Sequence, residues 1–525
     1  MIGVSFFYYF CDEITLIKNC RLLKMTLLNS IVKIAFKTRM SKIHSYMKDP
    51  AAIQQKWLGK LIEKASNTEW GQKHNFKDIT SLSDFSESIK LNDYEALKPY
   101  IQRMMMGEKD ILWPGRIKWF SKSSGTTNDK SKFIPVSDEN LHQCHLKGSH
   151  DTIALWLSSN PNTKMFNGKG LVMGGSLKEF SENNETLLGD VSAIMLNNMP
   201  FYAKYFHTPS VEIALMSEWE SKIEKMAHHI VKENLTSISG VPTWTIVLFR
   251  RILELSGKKN ILEVFPNFEL YMHGGVSFTP YLEQFRSFLP SDSVQYREIY
   301  NASEGFFGSQ YAKDDDGMLL LLDNGIYYEF LPMSEIDNPN ARTKSIEEVE
   351  LNVNYALIIS TNSGLWRYMI GDTIRFTSLF PHKFKISGRT KHYINVFGEE
   401  VMVENTDKAL AMTCSETGAE VSEYTVGPIF LSEGKGGHEW FLEFEKIPDN
   451  IEAFADLLDT NLQSLNSDYE AKRYKSMALE RLKLNLVPKG KFHEWLKSKG
   501  KYGGQHKVPR LSNTRQYVDE LKAYI

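Results

Sequence analysis

A mixed α/β fold, with a large first domain and a small α+β domain behind it, is what this sequence predicts, on three observations. Before Gly317, short apolar strands alternate with helical stretches, the pattern of a largely parallel sheet covered by helices on both faces. From Gly317 the texture changes to apolar runs separated by tight turns, GMLLLLDNGIYYEFL and YALIISTNSGLWRYMIGDTIRF, which reads as antiparallel, β-rich structure. After a polar, glycine-bearing stretch, residues 399–525 carry helices and strands of their own, enough for a separate small domain.

Composition narrows the class. At about 150 residues per domain, 525 residues give a prior of two to four domains. Such a chain buries a large core and needs no disulfide or metal staple. Lys+Arg is 62 against Asp+Glu 64, a net charge of −2, which argues against a nucleic-acid-coating or polybasic membrane-surface protein. Hydrophobic residues at 42% and charged residues at 24% mark an ordinary soluble globular chain. Cys11, Cys20, Cys144 and Cys414 lie far apart with no CxxC pair. A disulfide framework or zinc site is not expected, and a cytoplasmic location is.

The elements follow in order. MIGVSFFYYF is too short for a bilayer span and lacks the basic start and small-residue cleavage site of a secretory signal. Residues 1–24 read as a start-site extension or as a terminal segment packing an apolar patch, and Met25 opens an amphipathic helix. Residues 26–100 read as mostly helical, with Pro50 opening one helix and Pro99 closing the region. Strand, Ser/Gly/Thr loop and strand fill 117–136, and 137–160 read as helix. LVMGGS (171–176) is a short strand stopped by two glycines, and 211–256 read as two helices around Gly240-Val241-Pro242. FELYMHGG (268–275) is another strand ending in glycines, followed by a helix and VQYREIYNASEG. Asp323-Asn324-Gly325 is a hairpin signal and Ser363-Gly364 a second turn. A helix, the strand HEWFLEFE, two helices, the strand LKLNLV and a last helix near 491–498 complete the chain. The expected boundaries are 25–388 for the first domain, 389–398 for a hinge and 399–525 for the small domain.

Phosphate chemistry leaves signatures, and GxxxxGK[ST], GxGxxG, HExxH and GxSxG are all absent. What stands out instead is Ser123-Ser124-Gly125-Thr126-Thr127 with Lys130 and Lys132 close behind. A loop of small hydroxyl residues around glycine lets backbone N–H groups converge on an anion, and a lysine adds mobile positive charge. Tyr300-Asn301-Ala302-Ser303-Glu304 sets a hydroxyl beside a carboxylate, and Mg²⁺ riding on a nucleotide needs one or two carboxylates. In Trp366-Arg367-Tyr368-Met369-Ile370-Gly371-Asp372 a carboxylate at a strand end can accept both ribose hydroxyls. Gly388-Arg389 and Gln505-His506-Lys507-Val508-Pro509-Arg510 complete the set. Each alone also reads as a plain turn, a solvated carboxylate or a solvated basic tail. His228 and His229 read as helix surface rather than as metal ligands.

The order of these motifs is that of an adenylate-forming enzyme. Across residues 26–525, SSGTTNDKSKFIP, LVMGGS, SGVPTW, YMHGGVSFTPYLEQF, YNASEGFFG, WRYMIGD and QHKVPR resemble the auxin-responsive Gretchen Hagen family of acyl-amido synthetases, in a bacterial form. The phosphate loop lacks the second glycine and the proline-lysine run of typical acyl-CoA synthetases, which favours this branch. The plant enzymes are longer, so no hormone specificity is carried over.

The resemblance implies a role for each matched residue. Ser123, Ser124, Gly125, Thr126 and Thr127 would hold the ATP phosphates, with Lys132 as the loop lysine. Gly274, Gly275, Tyr300 and Asn301 would lie against the adenine, Ser303 would touch the α-phosphate and Glu304 would hold Mg²⁺. Asp372 would bind the ribose with help from Arg389, and Lys507 would be brought to the carboxylate by a mobile C-terminal domain. Gly174, Gly175, Ser176, Val241 and Trp244, with the helix from His145 to Leu155, are the candidates for the acyl pocket. The expected activity joins a carboxylic acid to an amine, an amino acid by preference, with ATP and Mg²⁺, and involves neither nucleic acid nor membrane. Thioester formation with coenzyme A and a catalytically silent nucleotide-binding protein remain the alternatives.

Overall fold

The computed structural model describes residues 21–525 apart from 124–131, 181, 276–277, 279–280, 337, 339, 391–392, 395–398, 400, 431–435, 467–468, 471–472, 474–478, 500–507 and 513. It opens with helices Arg21–Lys48, Pro50–Ala65, Glu69–Lys73, Leu82–Ser88 and Tyr94–Met105. The first begins ahead of Met25, so the helix start expected there lies inside a continuous helix. Caps set the later breaks: Asp49 accepts from the Ala52 N–H and Pro50 takes the first helical position, while Ser81 and Asp84 form a capping box. Pro99 does not close the region but lies within Tyr94–Met105. Pro99 and Glu95 are both exposed, so the carbonyl that loses its intrahelical partner faces water.

Among the described residues up to Arg389, fifteen strands build the body of the molecule. The first eight are β1 (Trp119–Ser123), β2 (Lys132–Val136), β3 (Lys169–Val172), β4 (Leu177–Phe180), β5 (Asn183–Gly189), β6 (His207–Thr208), β7 (Leu235–Gly240) and β8 (Leu270–His273). The rest are β9 (Gln295–Ala302), β10 (Gly305–Gln310), β11 (Met318–Leu320), β12 (Ile326–Pro332), β13 (Asn354–Thr361), β14 (Tyr368–Leu379) and β15 (His382–Arg389). Four form a small sheet in the order β2-β1-β5-β4, and eleven form a large one in the order β12-β13-β14-β15-β11-β10-β9-β8-β7-β3-β6. Strands β6, β3, β7, β8 and β9 run parallel. From β9 to β12 every pairing is antiparallel. The expected parallel sheet is therefore one half of a mixed sheet, with β9 as the seam. The antiparallel half shares a core with the opening helices, Trp366, Tyr328 and Phe330 packing with Leu58 and Phe76. The parallel half packs Ile238 and Tyr271 against Phe249 and Phe285 of its covering helices.

Two expectations are corrected here. Residues 211–256 are not helices alone, because β7 lies between helices Trp219–Ile230 and Pro242–Ser256. A short buried run such as Leu235–Ile238 carries no period that separates strand from helix. Asp323-Asn324-Gly325 does not close a hairpin, since β11 pairs with β10 and β15 while β12 pairs with β13. The turn is buried instead: Asn324 donates to the Phe306 carbonyl, and a Cβ on Gly325 would stand 2.3 Å from Asn362 Nδ2. Ser363-Gly364 does turn β13 into β14, with Gly364 at φ 90°.

Past β15, the strands β16 (Tyr393–Ile394) and β17 (Val401–Met402) pair with each other. Helix Val403–Thr417, β18 (Glu420–Phe430), β19 (Gly436–Lys446), helix Ile451–Leu465, β20 (Lys483–Val487) and helices Lys491–Ser498 and Gln516–Tyr524 follow. They enclose a core of their own around Tyr424, Trp440 and Leu458. Strand β18 and the last helix were not expected. Pro428 and the Ser422-Glu423 pair break the strand pattern in β18. The second helix expected between β19 and β20 falls on residues that are only partly described. Most of the expected hinge also lies outside the described residues, although Arg389 is the last residue of β15.

Candidate functional site

Parallel strands deliver their carboxyl ends to one edge of a sheet, and ligands of α/β sheets bind outside that edge. Register sets Val172 beside Ser239, Gly240 beside His273, and His273 beside Glu298. The exits are therefore Gly174-Gly175-Ser176 after β3, Val241-Pro242 after β7, Gly274-Gly275 after β8 and Ser303-Glu304 after β9. Glycine is a steric requirement at two of them. A Cβ on Gly274 would stand 2.3 Å from the Ile299 carbonyl oxygen, and one on Gly175 would stand 1.6 Å from Asp190 Oδ2. Val241 lies just before Pro242, the first residue of helix Pro242–Ser256, and half-buried Trp244 packs on the core of the parallel half.

Ser303 and Glu304 make the turn between β9 and β10, closed by Ala302 opposite Gly305. Glu304 is only 7% exposed. Burial holds its carboxyl above the ordinary carboxylate range; Lys132 pulls the other way, and Asp372 adds to the rise. Asp372 stands opposite Arg389 across β14 and β15, with Arg389 Nε 3.0 Å from Asp372 Oδ1. The Tyr300 hydroxyl also donates to Asp372. Across β1 and β2, Ser123 lies opposite Lys132, so this pair brackets the hydroxyl loop. Lys132 Nζ stands 5.6 Å from the centre of the Tyr94 ring.

Asn301 links β9 to the helical segment after β2, its Oδ1 3.2 Å from His145 Nδ1. Burial pushes His145 down to about 4, so the ring is neutral near neutral pH. His145 belongs to a π-turn, Leu141–His145, that leads into helix Leu146–Ser159. Among the described residues, buried polar atoms without a hydrogen-bond partner include His145 Nε2, His273 Nδ1 and Tyr368 Oη. Buried polar atoms are normally paired, and unpaired ones at a strand-end crevice suit a polar ligand. A buried carboxyl that resists ionisation also gains most from a cation, so Glu304 suits a hard divalent ion carried by phosphate oxygens.

Lys132, Tyr300, Asn301, Ser303, Glu304, Asp372 and Arg389 are thus drawn together by register, hydrogen bond or charge. Gly174, Gly175, Ser176, Val241 and Trp244 lie along the same edge, at the ends of β3 and β7. Ser124, Gly125, Thr126, Thr127 and Lys507 lie outside the described residues. His228 and His229 lie on the helix surface, within reach of Glu224 and Glu233. Among the described residues no three His, Cys, Asp or Glu side chains converge as a metal cage, and no helix is long and apolar enough to cross a membrane. The contacts of Tyr300 with Asp372 and of His145 with Asn301 were not legible beforehand. They pair residues 72 and 156 positions apart, which no local spacing reports.

Known proteins resemble this chain in sequence and in fold. Residues 39–294 match the GH3 family N-terminal domain, 319–389 its central domain and 404–516 its C-terminal domain. Indole-3-acetic acid-amido synthetase GH3.4 of Arabidopsis thaliana is 23% identical over 89% of this chain and 90% of its own length. Jasmonoyl–L-amino acid synthetase JAR4 of Nicotiana attenuata is 24% identical over 88% and 91%. Among solved structures, AtGH3.15 acyl acid amido synthetase in complex with 2,4-DB superposes with a TM-score of 0.75, covering 94% of this chain and 96% of that one at 16% identity. A 2-hydroxyisobutyryl-CoA ligase in the postadenylation state shares the fold at a TM-score of 0.58, 13% identity, and 90% and 92% coverage. With its three matched stretches spanning most of its length, the chain belongs to the GH3 family.

Proposed function

We propose that this GH3 chain is a ligase that activates a carboxylic acid with ATP as the acyl-adenylate, releases pyrophosphate, and passes the acyl group to an amine. The relatives are named as amido and amino acid synthetases, which makes an amino acid the acceptor of choice. The observation that carries the reading is the cluster at the seam of the sheet. There the buried Glu304 carboxyl feels both Lys132 and Asp372, and Asp372 is fixed by Arg389 and Tyr300.

A carboxylate is a poor acyl donor because oxide is its leaving group, and transfer to AMP turns that group into a phosphate ester. The barrier falls only where charge that develops during transfer is stabilised more than charge already present. Lys132 and the residues Ser123 to Thr127 would stabilise the departing pyrophosphate. Glu304 would hold Mg²⁺, which would neutralise phosphate charge. Asp372 accepts the ribose hydroxyls, with Arg389 and the Tyr300 hydroxyl fixing its rotamer. Ser303 touches the α-phosphate, while Gly274, Gly275, Tyr300 and Asn301 lie against the adenine. Gly174, Gly175, Ser176, Val241 and Trp244 wall the acid.

Lys507 approaches the carboxylate and α-phosphate when the C-terminal domain, residues 399–525, docks about the hinge at 389–398 upon the first domain, 25–388. Closure keeps water from the intermediate. The dispersed cysteines support a cytoplasmic setting.

The test is pyrophosphate–ATP exchange with a panel of acids, followed by product analysis with amino acids or coenzyme A. Acid-dependent exchange and an amide product are expected. ATP split to ADP and phosphate would sink the adenylate reading, and a thioester in place of an amide would move the chain to the other branch.

A further inference from the structure

Lys222 lies on helix Trp219–Ile230 among Ile223, Met226, Ala227 and Ile230, four buried apolar residues. A lysine in an apolar stripe is out of place, since lysine is almost never fully buried without partners. Yet Lys222 is only 2% exposed. Its ammonium donates to two backbone carbonyls, Gly174 and Gly175, the second at 3.0 Å. The same loop is held from its other side. Ser192 Oγ accepts from the Gly175 N–H at 3.1 Å, and Asp190 Oδ2 accepts from the Ser176 N–H at 3.0 Å. Gly175 leaves no room for a side chain, because Asp190 closes over it from its carboxyl to its Cβ, while the end of the Leu196 side chain lies 2.4 Å from where a Cβ on Gly174 would stand.

The loop is also the joint of the two sheets. It leaves β3 of the large sheet at Val172 and enters β4 of the small sheet at Leu177. The small sheet carries the Ser123–Lys132 pair that brackets the hydroxyl loop. A clamp on Gly174–Ser176 therefore sets one strand end of the crevice relative to the phosphate side. We propose that Lys222 is a positioning residue for acid binding, a buried ammonium that fixes the loop Gly174–Ser176 through its carbonyls and thereby sets the wall against which the acid lies. The inference rests on the adenylate-forming reading of the strand-end crevice.

Chemistry adds a signature that a purely structural residue lacks. Burial lowers the Lys222 ammonium to about 8, with Asp190 the charged group that opposes the fall. Lys122 acts in turn on Asp190. Around Lys222, Glu212 and Glu220 are exposed, and Glu224 is paired with Arg251. Below about 8 the clamp is a charge-assisted pair of bonds; above it the neutral amine donates more weakly. The substrate carboxylate stays ionised throughout that range and adds no step of its own.

The experiment measures acid-dependent pyrophosphate–ATP exchange for wild type, Lys222→Met and Lys222→Arg from pH 6.5 to about 9.5, a range set around the lysine's titration. Benzoate, indole-3-acetate and hexanoate serve as probes, and the one giving the fastest exchange is used for constants. For wild type, KM for the acid is expected to rise through pH 8 while KM for ATP stays flat. Lys222→Met should show an acid KM about tenfold higher at pH 7 and no further rise, with kcat at saturating acid within about twofold; tenfold corresponds to about 1.4 kcal/mol. Lys222→Arg keeps its charge and should remove the rise above pH 8. An unchanged acid KM in Lys222→Met, or the same pH limb in all three proteins, overturns the proposal. So does an equal loss in both KM values and kcat with a lowered unfolding temperature, which is a fold defect rather than a lost clamp. A wild type silent with every acid takes away the adenylation reading itself, a result distinct from a clamp that fails in an active enzyme.

Discussion

The two halves of the large sheet arm the crevice by different means. The parallel half contributes shape: glycine pairs follow β3 and β8, β7 ends in a single glycine, and neighbours crowd them, the Ile299 carbonyl at Gly274 and the Asp190 side chain at Gly175. The antiparallel half contributes charge, placed by cross-strand register. Asp372 faces Arg389 across β14 and β15. Arg367, only 6% exposed and at φ 42°, binds Glu329 of β12 together with the carbonyls of Ser86 and Ile89. Parallel strands stagger their exits, so a loop must bridge each gap. Antiparallel neighbours set side chains directly opposite and hold an ion pair without a loop. Strand β9 belongs to both halves, and Glu304 sits on its turn.

The largest effect should come from Arg367→Met. Breaking a buried, multiply bonded ion pair by removing one partner typically costs about 3–5 kcal/mol, so the urea midpoint should fall sharply. An unmoved midpoint would mean that the antiparallel half does not depend on its charges. Next comes Glu304→Gln, which keeps the shape and removes the charge. Exchange should drop by about 10²–10³ at saturating substrates in a protein that stays folded; near-normal turnover would return Glu304 to an ordinary turn residue. Asp372→Asn should then raise KM for ATP by roughly one to two orders of magnitude, since hydrogen bonds to charged groups contribute about 1.5–3 kcal/mol. An unchanged ATP KM would break the assignment of the ribose to this half.

In the parallel half, Gly175→Ala pushes a methyl into Asp190. Overpacking of that kind costs about 1–3 kcal/mol and should raise the acid KM more than the ATP KM. Equal changes in both would mean that the glycine exit shapes no particular subsite.

The smallest effect is on stability, and its sign is opposite to the loss of activity. Burial raises the Glu304 carboxyl. At acid pH, below the ordinary carboxylate range, folded and unfolded chains both hold the proton and nothing is gained or lost. As pH climbs, the unfolded chain releases its proton first, so wild-type stability falls until the folded carboxyl ionises too. Glu304→Gln escapes that fall. It should unfold at a slightly higher temperature than wild type near neutral pH and at the same temperature in acid. A lower temperature at neutral pH would show that Glu304 is a structural ion-pair partner rather than a group held ready for a cation.

Much of this was legible in the sequence where signals are local. The glycine-ended strands LVMGGS and FELYMHGG, the Ser363-Gly364 turn and the motif order all carry their meaning within a dozen residues. Strand β7 was missed because its four consecutive buried residues hold no readable period. The β11–β12 connection was misread because Asn-Gly chemistry reports a turn and not which strands it joins. Lys222 was passed over although its place in an apolar stripe was visible, because an amphipathic helix draws attention to its polar face. What remained hidden was pairing across long separations, as in His145 with Asn301.

The connection that leaves β11 for the far edge of the sheet has a consequence for how the chain is made. Strand β11, with MLLLL around it, is buried between β10 and β15 in the finished molecule. Its second neighbour begins at His382, about 60 residues later. A chain grows at about 5–20 residues per second, so for several seconds one edge of an apolar, low-charge strand has no partner. Such an edge is a template for association with other chains. A nascent chain halted after Leu331 should therefore sediment with aggregates or be retained by chaperones. One extended past Arg389, which completes the pairing, should remain in solution.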